Sequence, residues 1–305
     1  MFGPNASSVR PPAVAGLFYP DDPNACRTEA GRLLGLARHG RADSAGRPAL
    51  GAIVPHAGWA CSGKIAGEAI ATLARGRAAA VDLVVVFGAI HTPAIRPHRA
   101  AADVNDTWQT PDGLTELDGE LIARLCADER DWFTADERLH RREHAIEVEV
   151  PLLRAACPGA RLLPIETPAD DRAVEVGRRV AEHCLAERAA DRVVFLASSD
   201  LTHYGPAYGF APVGAGLRAV AWAMENDRRL LRRIERMEVE SIVPEAREHH
   251  NACGAGAIAA MLAACRVAGG KSVELLRHTS SFETLAGVAP QPPVNSVGYA
   301  AVVVR

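Results

Sequence analysis

Three apolar runs in this chain end in the same manner. Leu50 to Val54 stops at Pro55-His56-Ala57-Gly58-Trp59, and the run that closes on Gly88 stops at Ala89-Ile90-His91-Thr92-Pro93. Val193 to Ala197 stops at Ser198-Ser199-Asp200-Leu201-Thr202-His203-Tyr204. A short run of continuous rather than alternating apolar residues reads as a strand buried on both faces. Helical stretches separate the runs, and strand–helix alternation implies a mostly parallel or mixed central sheet flanked by helices on both faces, an α/β fold. Polar groups placed just past such strands collect on the carboxyl edge of the sheet, where open α/β sheets place their ligands.

The remaining chain can be read around that core. Residues 1–20 form an arm whose Phe18 and Tyr19 argue for packing on the body rather than for a free tail. A helix is expected from about 23 to 37 behind Asp21 or Asp22, and another from about 64 to 75. Trp108 with Pro111-Asp112-Gly113 suggests a turn or short hairpin, and Asp118 caps a helix to about Ala127. The stretch 136–142 is charged and reads as exposed. Between Glu143 and Ala156 two periods compete: Ile146, Val148 and Val150 alternate as in a strand, whereas the continuation favours a helix with Pro151 inside it, and the helix is preferred. A strand over 160–165, a helix over 170–188, a Gly/Pro-rich and lid-like loop over 204–216, helices over 217–235 and 238–247, a helix to about Ala268 and two closing strands complete the order.

Composition bounds the function. With 305 residues, 48% of them hydrophobic, the chain can bury a large core without disulfides, as one large domain or two smaller ones. A net charge of −3 gives no basic footprint for nucleic acid. Seven cysteines show no CxxC spacing, which argues against a disulfide framework or a zinc ribbon and fits a reducing cytoplasm. No charged-then-apolar leader opens the chain, and no apolar run reaches the roughly 18 residues of a membrane span.

His56, His91, Asp200, His203 and Cys253 are the residues from which chemistry is expected. A histidine after a strand is ordinarily a hydrogen bonder, and a single cysteine a small buried residue. Three strand ends and a thiol at the start of a helix together point to one shared site. A thiolate with two imidazoles suits zinc, copper or iron, and three protein donors leave positions open for catalysis. His203 is placed as a general acid/base, and Asp200 as the group that orients an imidazole or a metal-bound water. His144, Glu149 and Tyr204 are expected beside the substrate or behind the ligands. His249 and His250 read as flanking loop residues, and His39, His98, His140 and His183 as solvated.

The motifs resemble those of the Memo family, called AmmeMemoRadiSam system protein B in prokaryotes. The resemblance is carried by Val9-Arg10-Pro11-Pro12-Ala13-Val14-Ala15-Gly16-Leu17-Phe18-Tyr19-Pro20, by Pro55-His56-Ala57-Gly58-Trp59 and by Gly88-Ala89-Ile90-His91. It continues in Glu143-His144-Ala145-Ile146-Glu147-Val148-Glu149-Val150-Pro151, Ser198-Ser199-Asp200-Leu201-Thr202-His203-Tyr204, Ala252-Cys253-Gly254 and Ser296-Val297-Gly298-Tyr299-Ala300, spanning nearly the whole chain. It implies a single domain over 1–305 with the fold of the class III extradiol ring-cleaving dioxygenases, which hold Fe(II) with two histidines and a carboxylate. His56 and His91 then match the histidine ligands, Cys253 stands where the carboxylate would be, and His203 matches the acid/base. Iron is the first metal implied, copper the next, and zinc a third. A small substrate is implied, an aromatic one among the candidates, with radical-SAM and AMMECR-type proteins as partners. Leu17 departs from the serine common in the family, and Glu149 from glutamine or histidine. Two other classes compete with an oxidoreductase: a non-catalytic metal-binding or interaction protein, and a metal- or cysteine-dependent hydrolase.

Overall fold

A computed structural model describes residues 7–39, 48–75, 77, 80–92, 98–287 and 292–305. The three apolar runs are strands, Gly51–Val54, Leu83–Gly88 and Val193–Ser198, each buried along its whole length. Val193–Ser198 lies between the other two and is parallel to both, pairing Ile53 with Ala197 and Val85 with Phe195. Arg161–Glu166 adds a fourth parallel strand beside Leu83–Gly88. Valine and leucine fill these strands, and each side chain fully buried there stabilises the fold by about 1.5–3 kcal/mol.

The sheet is mixed at its flanks. On one side, Ser296–Val304 runs antiparallel to Gly51–Val54, and Val273–Ser280 and His203–Tyr204 pair along its far edge, also antiparallel. On the other side, Ala100–Ala102 pairs antiparallel with Arg161–Glu166, and Phe133–Ala135 closes that edge. These nine strands form one sheet. A separate three-stranded sheet joins Val9–Arg10 of the arm to the hairpin Thr107–Thr110 and Gly113–Glu116, the hairpin expected around Pro111-Asp112-Gly113.

Helices cover both faces. Trp59–Ala74 packs on the sheet and against Pro23–His39 and Val150–Ala156. Ala255–Val267 packs on the three central strands from the other face and carries Ala173–Leu185 and Ile242–His249 against it. The Trp59–Ala74 helix starts about one turn earlier than expected, because Trp59 is itself core and Ser62 Oγ donates to Ala57 O across the first turn. The ambiguous stretch resolves as one turn of 3₁₀-helix, Glu147–Glu149, running into Val150–Ala156 with Pro151 in its first turn, where a missing N–H costs nothing. The 136–142 stretch is not simply exposed: it contains the short helix Glu137–His140, whose Leu139 and His140 are buried. No helix among the described residues is long and apolar enough to cross a membrane.

Candidate metal centre

Strand order alone brings the first three groups together. His56 follows Val54 by two residues, Asp200 follows Ser198 by two, and His91 follows Gly88 by three, at the carboxyl ends of three adjacent strands. The His56 and His91 rings meet edge to face with centroids 5.0 Å apart. The fourth group comes from the opposite face, just ahead of the Ala255–Val267 helix. There Gly254 N donates to Ser199 Oγ at 2.9 Å and Cys253 N to Asp200 O at 3.3 Å. Gly254 allows that approach, since a Cβ would stand 2.7 Å from Ser198 O. Cys253 Sγ ends 3.3 Å from His56 Nε2, and donor atoms of His56, His91 and Cys253 lie within 4.8 Å of one another.

Each imidazole is braced from behind. His56 Nδ1 lies 2.9 Å from Ser198 Oγ, which donates its own proton to Ala145 O, so Nδ1 carries the hydrogen and Nε2 keeps a free lone pair. His91 Nδ1 lies 2.8 Å from Glu143 Oε1, leaving the other edge of its ring for Cys253. Glu143 is itself held by three backbone amides, those of His91 at 2.6 Å, His144 at 2.9 Å and Ala145 at 3.1 Å. Such bracing fixes tautomer and ring direction, as it does behind metal-bound histidines.

The electrostatics follow from this packing. Burial holds the His56 imidazole below its ordinary value. Burial opposes charge on His91 as well, but hydrogen bonds to Cys253 and Glu143 overcome it and raise His91 to about 10. Burial would raise the Cys253 thiol, yet the charge and hydrogen bond of His56, together with His91, bring it down to about 6. Glu143 falls to about 2, where its bonds to His91 outweigh burial. A low-lying thiol facing two oriented imidazoles is the donor chemistry of a soft or borderline metal, and the residues present fit one such ion.

His144 extends the cluster. Its ring stacks on His91 at 4.6 Å and meets Phe18 at 4.8 Å. Burial, and then the charge of His91, push it down to about 4. Phe18 arrives from the arm, which a buried clamp secures. Arg10 pairs with Glu147 at 2.7 Å, donates to the carbonyls of His140 and Glu143, and lies 4.1 Å over Trp108. Glu147 also accepts from the Ala13 and Val14 amides and the Tyr19 hydroxyl. The arm thus holds the segment that carries Glu143 and His144, and Phe18, His56, His144, Asp200 and Tyr299 share the walls of a cavity of about 470 Å³.

Asp200 Oδ1 accepts from His56 N at 2.9 Å, and its Oδ2 lies 3.9 Å from His203 Nε2. Burial raises Asp200 to about 6. His203 faces the cavity with Nδ1 3.1 Å from Leu201 O, and Tyr208 stands edge-on to it at 5.0 Å. Two expected neighbours stand off the cavity wall. Glu149 is buried behind Asp200, off the cavity wall, and burial together with the charge of Asp200 raises its carboxyl well above the ordinary range. Tyr204 is 1% exposed and packs on Phe210 and Trp222, with its hydroxyl donating to Gly214 O. Tyr204 therefore pins the 204–216 loop instead of facing substrate, and Asn295 Oδ1 holds that loop again at the Ala207 amide. His140 is the clearest correction. It is fully buried, with Nε2 3.0 Å from Ala101 O and Nδ1 3.5 Å from Glu166 Oε1. Burial lowers His140 to about 4 and raises Glu166, a neutral pair behind the site. His98 is exposed as expected, His183 is partly buried against Arg179 O, and the side chain of His39 lies outside the described residues.

Comparison with known proteins finds similarity over almost the full length. The family model described as Memo-like protein matches residues 10–303. A MEMO1 family protein of Methanococcoides burtonii is 36% identical over 301 residues, covering 97% of this chain and 100% of its own. One from Methanosarcina barkeri is 35% identical, covering 97% and 100%, and one from Thermococcus onnurineus is 32% identical, covering 97% and 99%. The crystal structure of an uncharacterized protein from Escherichia coli K12 overlays at a TM-score of 0.40 and 12% identity, over 73% of this chain and 85% of that one.

Proposed function

This chain belongs to the Memo family, and on that premise we propose that it is a mononuclear metal protein that oxidises a small ring-bearing substrate, with Fe(II) or copper held by His56, His91 and Cys253. The supporting observation is the convergence of two braced imidazoles and one thiol within 4.8 Å. A bound redox metal supplies the electron and oxygen chemistry that side chains lack. The rest falls to the chain. With Nδ1 of His203 donating to Leu201 O, Nε2 faces the cavity and takes the proton from a substrate hydroxyl. Asp200, across 3.9 Å, stabilises the imidazolium that results. His144, uncharged at neutral pH, and Phe18 present flat faces against which a ring can lie.

Elemental analysis of protein purified without oxygen or chelators should find one iron or copper per chain, absent from Cys253→Ala. Oxygen consumption is then expected with at least one catechol-type compound. Metal binding without any uptake sinks the oxidation and leaves the metal-binding interaction protein. The 3.3 Å between Cys253 Sγ and His56 Nε2 supports a second reading, a cysteine-dependent hydrolase with Cys253 as nucleophile and His56 as base. Iodoacetamide labelling of Cys253 that is equally fast with and without metal favours that reading; protection by metal favours the first. A cytoplasmic setting, with which seven free thiols accord, and radical-SAM and AMMECR-type partners belong to the same proposal. Partner binding kept by His56→Ala would make any such assembly independent of the metal.

A further inference from the structure

The three donors have two faces. The 470 Å³ cavity is walled by His56, His144 and Asp200, and Cys253 is not among its walls. A second cavity, of about 520 Å³, is walled by Cys253, His250, Phe210, Leu201 and Ala252, and His56 is not among its walls. His91, His203 and Tyr208 border both. An ion approaching from the first side meets the His56 ring, with the Cys61 thiol on the same wall, and one approaching from the second meets the Cys253 thiol, with His91 open to both.

His250 stands on the Cys253 side in a conformation its backbone does not favour. It closes the Ile242–His249 helix with φ 51°, its amide donating to Ala246 O at 2.8 Å. Glycine ordinarily fills that left-handed position because it has no Cβ to crowd the backbone, and asparagine is the side chain that tolerates it best. The imidazole is exposed, lies 5.2 Å from the Phe210 ring, and its nitrogens have no hydrogen-bond partner among the described residues. Cys253 follows three residues later, on the same cavity wall. A strained, unpaired imidazole at the mouth of a cavity that ends in a thiol has the chemistry of a first-contact ligand.

We infer that the second cavity is the loading face of the centre, and that His250 is a transient ligand for a soft or borderline first-row metal ion on its way to Cys253. The first cavity is thereby left to the organic substrate. This inference rests on the metal reading above. It is tested on the metal-free full chain with Co(II) alone, following thiolate-to-cobalt absorption by stopped flow. His250→Asn keeps a residue that tolerates the left-handed turn, and the exposed His98→Asn controls for loss of a surface imidazole. His250→Asn should load roughly tenfold more slowly, the loss of about one transient contact in the rate-limiting step. Its final stoichiometry and affinity should equal the wild type's, and His98→Asn should load normally. Loading of His250→Asn at the wild-type rate, or equal slowing in His98→Asn, overturns the route while the metal centre stands. A lower final affinity in His250→Asn overturns the transient role, since His250 would then be a resident ligand. A wild type with no thiolate absorption at all overturns the route together with the centre.

Discussion

Glu143 does more for the centre than its place in the chain suggests. One carboxylate collects three backbone amides and the His91 ring, and so sets where that ring points. Glu143→Gln preserves volume but removes the charge and one acceptor oxygen. Metal affinity should fall about 10–100-fold with the fold intact, the usual cost of losing a partner behind a ligand. Competition against a chromophoric chelator measures it, and an unchanged affinity would remove Glu143 from the account. His56 and His91 were legible because a buried strand that stops in a histidine is a local signal. Glu143 was not, because its partner lies 52 residues away and no period links the two. His140 was misread for a related reason. Its charged neighbours in sequence point outward, while the ring turns inward to Ala101 and Glu166.

Among the elements, the Ala255–Val267 helix carries the greatest burden. It is buried along nearly its whole length, packs on three strands, and Cys253 stands immediately ahead of it. Its outer side is covered by Ala173–Leu185, and the two backbones touch where Gly177 meets the Ala260 carbonyl. A methyl at that point has no room. Gly177→Ala should therefore force the helices apart and destabilise the fold by about 1–3 kcal/mol. The midpoint of denaturant unfolding reports this, and metal affinity should fall with it because the thiol moves along with its helix. A midpoint equal to the wild type's would show that the pair has slack. The existence of these helices was plain from the sequence, but their mutual approach was not, since a helical glycine looks the same whether it faces solvent or a neighbouring carbonyl. The loop over 204–216 shows the converse. Its glycines and prolines suggested a lid, yet Tyr204 and Asn295 tie it down, and those contacts come from side chains that composition alone leaves unassigned.

For the molecule as a whole, the buried thiols set an alkaline limit. Burial raises Cys157 from 9.0 to about 11 and Cys184 from 9.0 to about 12, and the Tyr19 and Tyr299 hydroxyls are also raised, chiefly by burial. In the unfolded chain these thiols ionise near pH 9, while the folded chain keeps their protons. Their contribution is thus fully present below pH 9 and is lost as pH rises through about 11 to 12. Together the two thiols should cost about 3 kcal/mol by pH 10, at ~1.4 kcal/mol per group per pH unit. Thermal midpoints measured from pH 8 to 11 should fall accordingly, and Cys184→Ala should flatten the decline; a flat wild-type profile would contradict the assignment. The covered, mixed sheet was legible at this scale because unbroken apolar runs admit few architectures. The antiparallel insertion of Ser296–Val304 was not, since nothing in an apolar run declares its direction. That strand is synthesised after every strand it joins: Gly51–Val54 on one side, Val273–Ser280 and His203–Tyr204 on the other. A chain still emerging from the ribosome must therefore carry the open edge of Gly51–Val54 for some 240 residues of translation. Nascent chains arrested before Ser296 should remain protease-sensitive and bound to chaperones, and the nine residues of the strand should act as the closing step that joins the central strands to the edge formed by Val273–Ser280 and His203–Tyr204.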